Sequence, residues 1–441
     1  GEFISRLMTE VGAHVTTTSF PSDISIGIAK AIFIIKEDGG LGQSIFSQSE
    51  KEVVVYLGNC YVRGVAQFKE WEEKADDDNI RKVKSISNNL FNKILGEDWE
   101  IYEYTKKINI NYLYNNLKSL GSQFNYFIFE SEAGVEGEKI IRENTGENKV
   151  FQVSEGAIIY RPEEDRKDIN VSVFINSEGH PTYLAKDLGL IKLKFLRSNP
   201  DFSFYVTDNE QVPHFKTVFA VAGKLEKKWE ENSIHVTHGR MTFKGQKMSS
   251  RLGGVPGAEE VINEVLAEVR ERSVDKIKDL SNEEKEKVQK EIALSALRVS
   301  ILKSKPGLNT DFDPERSTSL DGDSGPYLCY THARACSIIS KGKLSDMLPF
   351  KNKDADLHIL ERKVLQFRVI IEDTANEIAP QKLVKYLFEL TSLFNDFYNQ
   401  QKIIDSTRVY ETLHYLYLTQ KVIDALNKGL WILGVNAPEK M

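Results

Sequence analysis

Cysteine is scarce and nothing in the chain organises it. Cys60, Cys329 and Cys336 are odd in number and have no metal-ligand spacing, which excludes a disulfide framework and leaves three small residues expected in the interior. Long apolar runs are missing as well. No stretch approaches the roughly 18 residues that a membrane-spanning helix needs, and no basic, apolar, small-residue leader pattern occurs, so no membrane partner and a cytoplasmic location are expected. Basic excess is also absent: 58 Lys and Arg stand against 65 Asp and Glu, for a net charge of -7. A chain coated in positive surface is thereby excluded, but a nucleic-acid partner is not, because one local basic face suffices. What is present is ordinary for a globular protein, 41% hydrophobic and 28% charged over 441 residues, a length that suits about three domains.

The first 35 residues read as a helix, a short strand, a loop and a second helix, a piece of a βαβ unit without its opening strand. From 48 to about 117, apolar residues at helical spacing (Val53, Tyr56, Leu57; Ile86, Leu90, Ile94) predict a helical insertion. A second excursion at about 132–168 mixes short apolar runs with glycine and acidic clusters. Three β-rich runs follow, VSVFIN at 171–176, FSFYVT at 202–207 and IHVTHG at 234–239, separated by helical periodicity. That rhythm predicts a Rossmann-like, doubly wound parallel sheet, incomplete at the amino end, whose ligands bind beyond the carboxyl ends of the strands. From Gly257 the character turns helical: Val261, Ile262, Val265, Leu266 and Val269 form one stripe, and Ser281 with Glu284 makes a capping box. The final segment reads as four or five amphipathic helices, an all-α bundle. The expected domains are 1–256, an α/β domain with the two insertions; 257–322, a helical connection; and 323–441, the bundle.

Three constellations carry chemistry. KMSSRLGG, 247–254, puts Lys247, Met248, Ser249 and Ser250 before two glycines, a loop suited to closing over a nucleotide triphosphate, where an ammonium neutralises charge growing on departing pyrophosphate. In PTYLAKD, Tyr183 and Asp187 stand at i and i+4 and share a helix face. A carboxylate beside a phenol suits a cationic, hydrogen-bonding side chain, and a guanidinium fork above all. Spacing alone leaves open a solvated Asp187 with Tyr183 packed beneath it. Gln211, past the second β run, adds a polar group. His214 and His238 fall near strand ends without zinc spacing, so no metal is expected, and each reads either as a nucleotide contact or as a structural hydrogen-bonder. In the bundle, aromatics interleave with bases and amides: Tyr327, Tyr330, Arg334, Lys382, Lys385, Asn395 and Tyr398. Stacking faces beside phosphate-following cations suit a single-stranded RNA loop, unless the aromatics are simply core.

In order along the chain, PTYLAKD, YVTDNEQVPHF, KMSSRLGG, DGDSGPYLCYTHARACSI and the closing LWILGVNAPEKM resemble arginyl-tRNA synthetase, a class I aminoacyl-tRNA synthetase, across most of the 441 residues. The resemblance implies an arginine–tRNA ligase that consumes ATP with Mg2+ as substrate, with no tightly bound cofactor and with arginine and tRNA(Arg) as partners; a monomer is expected. It implies Tyr183, Asp187 and Gln211 around the arginine side chain and Asp23 close to the amino-acid site. Lys247, Ser249 and Ser250 would serve the adenylation step, with His214, His238, Gly239, Lys247 and Met248 near ATP. Two departures qualify the match. Ser250 stands where the KMSKS-type loop has its second lysine, and the HIGH motif is absent, GEFISRLMTEVGAHV resembling the helix that follows it. The expectation is therefore a fragment with little or no catalysis of its own. The alternatives are a non-catalytic tRNA-binding relic and a class I enzyme for another amino acid such as lysine.

Overall fold

A computed structural model of the chain describes residues 1–164, 166–247, 258–273, 277–278, 280–342 and 358–441. These pack as two compact units, residues 16–236 and residues 1–15 with 237–441. The opening helix α1 (Glu2–Glu10) belongs to the second of these.

Unit 16–236 starts with β1 (Thr18–Ser19) and α2 (Ile26–Glu37), the helix capped by Ser25, whose hydroxyl accepts from the Ile28 N–H. Behind α2 lie the helices of the expected insertion: α3 (Glu50–Lys74), opened by a Ser49–Glu52 capping box, α4 (Asp77–Phe91) and α5 (Glu97–Ser119). Their apolar stripes close one core with α2 around Ile32, Phe33, Val53, Val83, Leu90 and Ile101. Next come β2 (Tyr126–Phe127), which pairs parallel with β1, and α6 (Glu130–Glu143). A meander of β3 (Phe151–Ser154), β4 (Ala157–Tyr160) and β5 (Ser172–Ile175) is antiparallel throughout. The helix α7 (Tyr183–Ser198) leads to β6 (Ser203–Asp208), α8 (Val212–Leu225), the short α9 (Lys227–Glu231) and β7 (Ser233–His238), the strand beside β6.

All three β-rich runs are strands, but the first is not a member of a parallel sheet. The connection from β4 to β5 holds no helix among the described residues, so the chain returns as an antiparallel neighbour; a parallel neighbour needs a helical crossover.

Helices α6 and α7 cross at backbone contact. A Cβ on Gly137 would lie 1.9 Å from the Ala185 carbonyl oxygen, and one on Gly189 would lie 1.9 Å from that of Ala133. The two glycines therefore set how closely α7 approaches α6, and Ile140, Ile141, Leu188 and Ile191 fill the core around them.

In the second unit, β8 (Met241–Phe243) pairs antiparallel with β9 (Gln246–Lys247) and parallel with β10 (Thr310–Phe312). The predicted stripe of Val261, Val265 and Val269 on α10 (Ala258–Ser273) packs on Ile292 and Ala296 of α11 (Asn282–Leu302) and on Phe312. The Ser281–Glu284 capping box forms. After α12 (Pro314–Ser317), the described bundle helices are α13 (Gly325–Gly342), α14 (Ile359–Leu365), α15 (Phe367–Glu377), α16 (Pro380–Gln400) and α17 (Val409–Ile432). Helix α1 docks on this bundle through Arg6, which donates to the Trp431 carbonyl at 2.9 Å, and through Glu10, paired with Lys428. Cys60 and Cys329 are buried as expected, whereas Cys336 is only partly so.

Candidate functional site

The first turns of α7 carry most of the polar chemistry of unit 16–236. Thr182 holds the start of the helix to β5, its N–H bonding the Phe174 carbonyl and its hydroxyl the Val173 carbonyl at 2.8 Å. Tyr183 follows, 60% exposed, so its ring does not pack beneath its neighbours. Asp187, one turn later, is not on a solvated face: its side chain is 15% exposed, and its Oδ2 accepts from His214 Nε2 at 2.5 Å. His214 stands on the first turn of α8, three residues past the exposed Gln211, so the two share one side of that turn. Of the predicted residues, Asp187 and His214 are thus in direct contact.

Behind His214 the packing is aromatic. Phe215 stacks on His235 with ring centroids 4.5 Å apart, and His235 Nε2 bonds the Thr207 hydroxyl at 2.8 Å. Burial, and secondarily the charge of His214, lowers the His235 pKa and favours the neutral ring.

Asp23 sits elsewhere in the hydrogen-bond economy. Buried at 4% exposure, its oxygens accept from the Ser131 N–H at 2.8 Å, the Ser131 hydroxyl at 2.6 Å, the Tyr102 hydroxyl at 3.1 Å and Lys106 Nζ at 2.7 Å. Four donors nearly exhaust a carboxylate's lone pairs, so Asp23 fastens α6 to α5 and the loop before α2.

Sequence reasoning missed the most buried ion pair beside Asp187. Lys186, 4% exposed, donates to Glu130 Oε2 at 2.7 Å and to the Ile24 carbonyl at 2.7 Å. The only signal was its place between Ala185 and Asp187 on an otherwise apolar face, and lysine reads as solvent-facing by default.

In the second unit, Gly239 is required by close approach: a Cβ there would lie 2.1 Å from the Leu308 carbonyl oxygen. His238 is exposed, its Nδ1 2.9 Å from the Gly239 carbonyl. Lys247 closes β9 opposite Thr242; Met248, Ser249 and Ser250 lie outside the described residues. No group of three or more His, Cys, Asp or Glu suited to a metal ion occurs among the described residues.

The bundle assembles part of the predicted RNA-binding set. Arg334 of α13 donates to Asn395 Oδ1 of α16 at 2.8 Å, and Asn395 donates in turn to the Tyr327 hydroxyl at 2.9 Å and the Thr331 hydroxyl at 3.2 Å. The guanidinium lies 4.7 Å from the Tyr330 ring and 5.4 Å from that of Tyr398. Lys382 and Lys385 are not part of this cluster: they stand ten or more residues away along α16, at least 15 Å by helical rise, Lys382 paired with Glu377 and Lys385 3.8 Å from Glu389. Lys385 instead borders a cavity of about 900 Å³ with Arg272, Lys303, Arg316 and several carboxylates.

Comparison with known proteins decides what these arrangements belong to. Residues 1–313 match the family model described as class I tRNA synthetases (R), catalytic domain, and residues 328–441 match the DALR anticodon binding domain. The chain belongs to the arginyl-tRNA synthetase family. It is an aminoacyl-tRNA synthetase of the arginine type, an arginine–tRNA ligase, which decides between arginine and the lysine alternative. Among similar proteins, the arginine–tRNA ligase of Borreliella burgdorferi is 26% identical over 459 residues and that of Bacteroides fragilis (strain YCH46) 23% over 460; each alignment covers 100% of this chain and 76% of the relative. The fold resembles that of Thermus thermophilus arginyl-tRNA synthetase, with a TM-score of 0.79 at 23% identity over 100% of this chain and 78% of the other, and of the Plasmodium falciparum enzyme, at 0.72 and 19% over 100% and 72%. The α/β catalytic domain followed by a helical anticodon-binding domain is thus the family architecture. None of the helices searched, those of the described residues, is long and apolar enough to cross a membrane.

Proposed function

We propose that this arginine–tRNA ligase takes the substrate guanidinium on Asp187, with Tyr183 and Gln211 alongside. The observation that carries the proposal is Asp187 itself: a carboxylate at 15% exposure on α7, hydrogen-bonded to one histidine and to no lysine or arginine in any described ion pair, near the open ring of Tyr183. A guanidinium supplies two parallel donors to such a group. Asp23, buried and already holding four donors, is left out of the arginine set and assigned to scaffolding.

The reaction proceeds in two steps. The arginine carboxylate attacks the α-phosphate of ATP, bound with Mg2+, and expels pyrophosphate; the terminal ribose hydroxyl of tRNA(Arg) then takes the acyl group from the adenylate. Lys247 neutralises the developing pyrophosphate charge and Ser249 and Ser250 donate hydrogen bonds to it, a contribution of roughly a few kcal/mol per transition-state contact. His238, Gly239 and Met248 serve ATP binding, while the close packing of Gly239 on the Leu308 backbone fixes the chain at the end of β7. Tyr327, Tyr330, Arg334, Asn395 and Tyr398 receive unpaired tRNA bases, and Lys382 and Lys385 attract phosphate at longer range. Residues 1–256 are the catalytic domain with insertions at about 48–117 and 132–168, residues 257–322 the connection and 323–441 the anticodon-binding domain, in a cytoplasmic monomer.

The test is ATP–pyrophosphate exchange with tRNA(Arg) present and arginine or lysine added. Exchange is expected to depend on arginine and not on lysine, and to be weak or absent in this chain while full in a form extended upstream to carry a HIGH segment. Absence of exchange from both forms, with tRNA still bound, would sink the catalytic proposal and favour a tRNA-binding relic.

A further inference from the structure

The short contact between His214 and Asp187 has a consequence for substrate selection. A carboxylate on a helix rotates about its terminal torsion, which is broad, and a guanidinium needs the carboxylate close to its own plane to make two parallel bonds. An ammonium is a point charge and is indifferent to that plane. His214 Nε2 lies 2.5 Å from Asp187 Oδ2 and must be the donor, since the carboxylate only accepts. The imidazole is itself fixed, set edge-on to Phe215 with centroids 5.3 Å apart, and Phe215 is clamped in turn by its stack on His235. One oxygen of Asp187 is thus pinned from the protein side, while Oδ1 and a remaining lone pair of Oδ2 are left for a ligand.

We infer that His214 is a positioning residue that fixes the plane of the Asp187 carboxylate and so favours arginine over cations that carry a point charge. The inference rests on the proposed role of Asp187 at the substrate guanidinium. It moves His214 from ATP to the amino-acid side chain.

The experiment is calorimetric titration of the full chain with L-arginine and L-lysine, for the wild type, His214→Ala, His214→Gln, Asp187→Asn and the His214→Ala/Asp187→Asn double variant. One lost hydrogen bond to a charged group should weaken arginine roughly tenfold in His214→Ala and leave lysine binding unchanged, so the arginine-to-lysine ratio falls. His214→Gln, whose amide donates from nearly the same reach, should recover most of the loss. In the Asp187→Asn background, His214→Ala should add nothing, because it acts through the carboxylate. If Asp187→Asn weakens arginine but His214→Ala does not, the inference fails while the Asp187 assignment stands; if Asp187→Asn leaves arginine binding unchanged, that assignment fails and takes the inference with it. Equal loss for arginine and lysine in His214→Ala, or a His214→Ala effect that persists without Asp187, overturns the positioning role.

Discussion

Replacing Gly189 by alanine sets two principles against each other with opposite signs. On helix propensity alone, an interior Gly→Ala change stabilises by about 1 kcal/mol. At this position, however, the new Cβ would stand 1.9 Å from the Ala133 carbonyl oxygen, about 1.6 Å inside the separation of roughly 3.5 Å at which such atoms rest. The obstacle is backbone, so no rotamer relieves it and α6 and α7 must part. Overpacking of this kind costs about 1–3 kcal/mol, more when backbone is forced to move, so a net loss of about 2 kcal/mol is expected. Gly58 gives the matched control: it lies within α3, is exposed, and nothing stands within 4 Å of its would-be Cβ. Gly58→Ala should therefore gain about 1 kcal/mol. Urea unfolding followed by tryptophan fluorescence reads the right unit, because Trp71, Trp99 and Trp229 of the 4 tryptophans lie in residues 16–236. If Gly189→Ala is stabilised in parallel with Gly58→Ala, the close crossing that positions α7 does not exist.

Lys186→Met should destabilise the same unit by about 3 kcal/mol or more, since it strands the buried Glu130 carboxylate, and adding Glu130→Gln should return much of the loss, as read by the same unfolding curves. Acid sensitivity should follow His235. Its pKa is lowered in the folded state from an ordinary value of 6.5, so the unfolded chain binds more protons just below that pH; the contribution is intact above pH 6.5 and is lost as pH falls from there toward the folded value. His235→Gln should flatten that part of the stability profile, and an unchanged profile would remove His235 as its source. On the RNA side, Arg334→Ala should weaken tRNA(Arg) binding about tenfold in a filter assay by removing a guanidinium set between two tyrosine rings, while Lys382→Ala, already ion-paired outside that cluster, should change it less than twofold. The reverse order would move the RNA surface to the other end of α16.

Much of this was legible in the sequence, for reasons that differ by element. Helical periodicity located α3 to α5, α10 and the bundle helices because their stripes face a core on one side only, as in Val261, Val265 and Val269 of α10. Capping residues set the helix start at Ser281 to the residue. Pairing partners were less accessible: the residues of β5 say that it is a strand but not that β4 returns beside it, since strand neighbours depend on the connection and not on local composition. The site divides the same way. Spacing put Tyr183 and Asp187 on one helix, and the i, i+3 relation of Gln211 to His214 was there to be read. The bond between Asp187 and His214 joins two helices, and the Lys186–Glu130 pair spans 56 positions; no local pattern encodes either. Tyr386 and Phe394 stand among the aromatic and basic residues of α16 in the sequence but are buried core at 2% and 0% exposure, so the reading of those aromatics as simple packing holds for them, whereas Tyr330 is partly buried and Tyr398 exposed.

The most direct test of the account is the affinity of the wild type and Asp187→Asn for arginine and for citrulline, its neutral isostere, by calorimetry. If Asp187 holds the guanidinium through two bonds of about 1.5–3 kcal/mol each, the wild type should prefer arginine by at least about a hundredfold, and Asp187→Asn should bring the two ligands within a few-fold of each other. An Asp187→Asn variant that keeps the wild-type preference would place the arginine pocket elsewhere in the molecule.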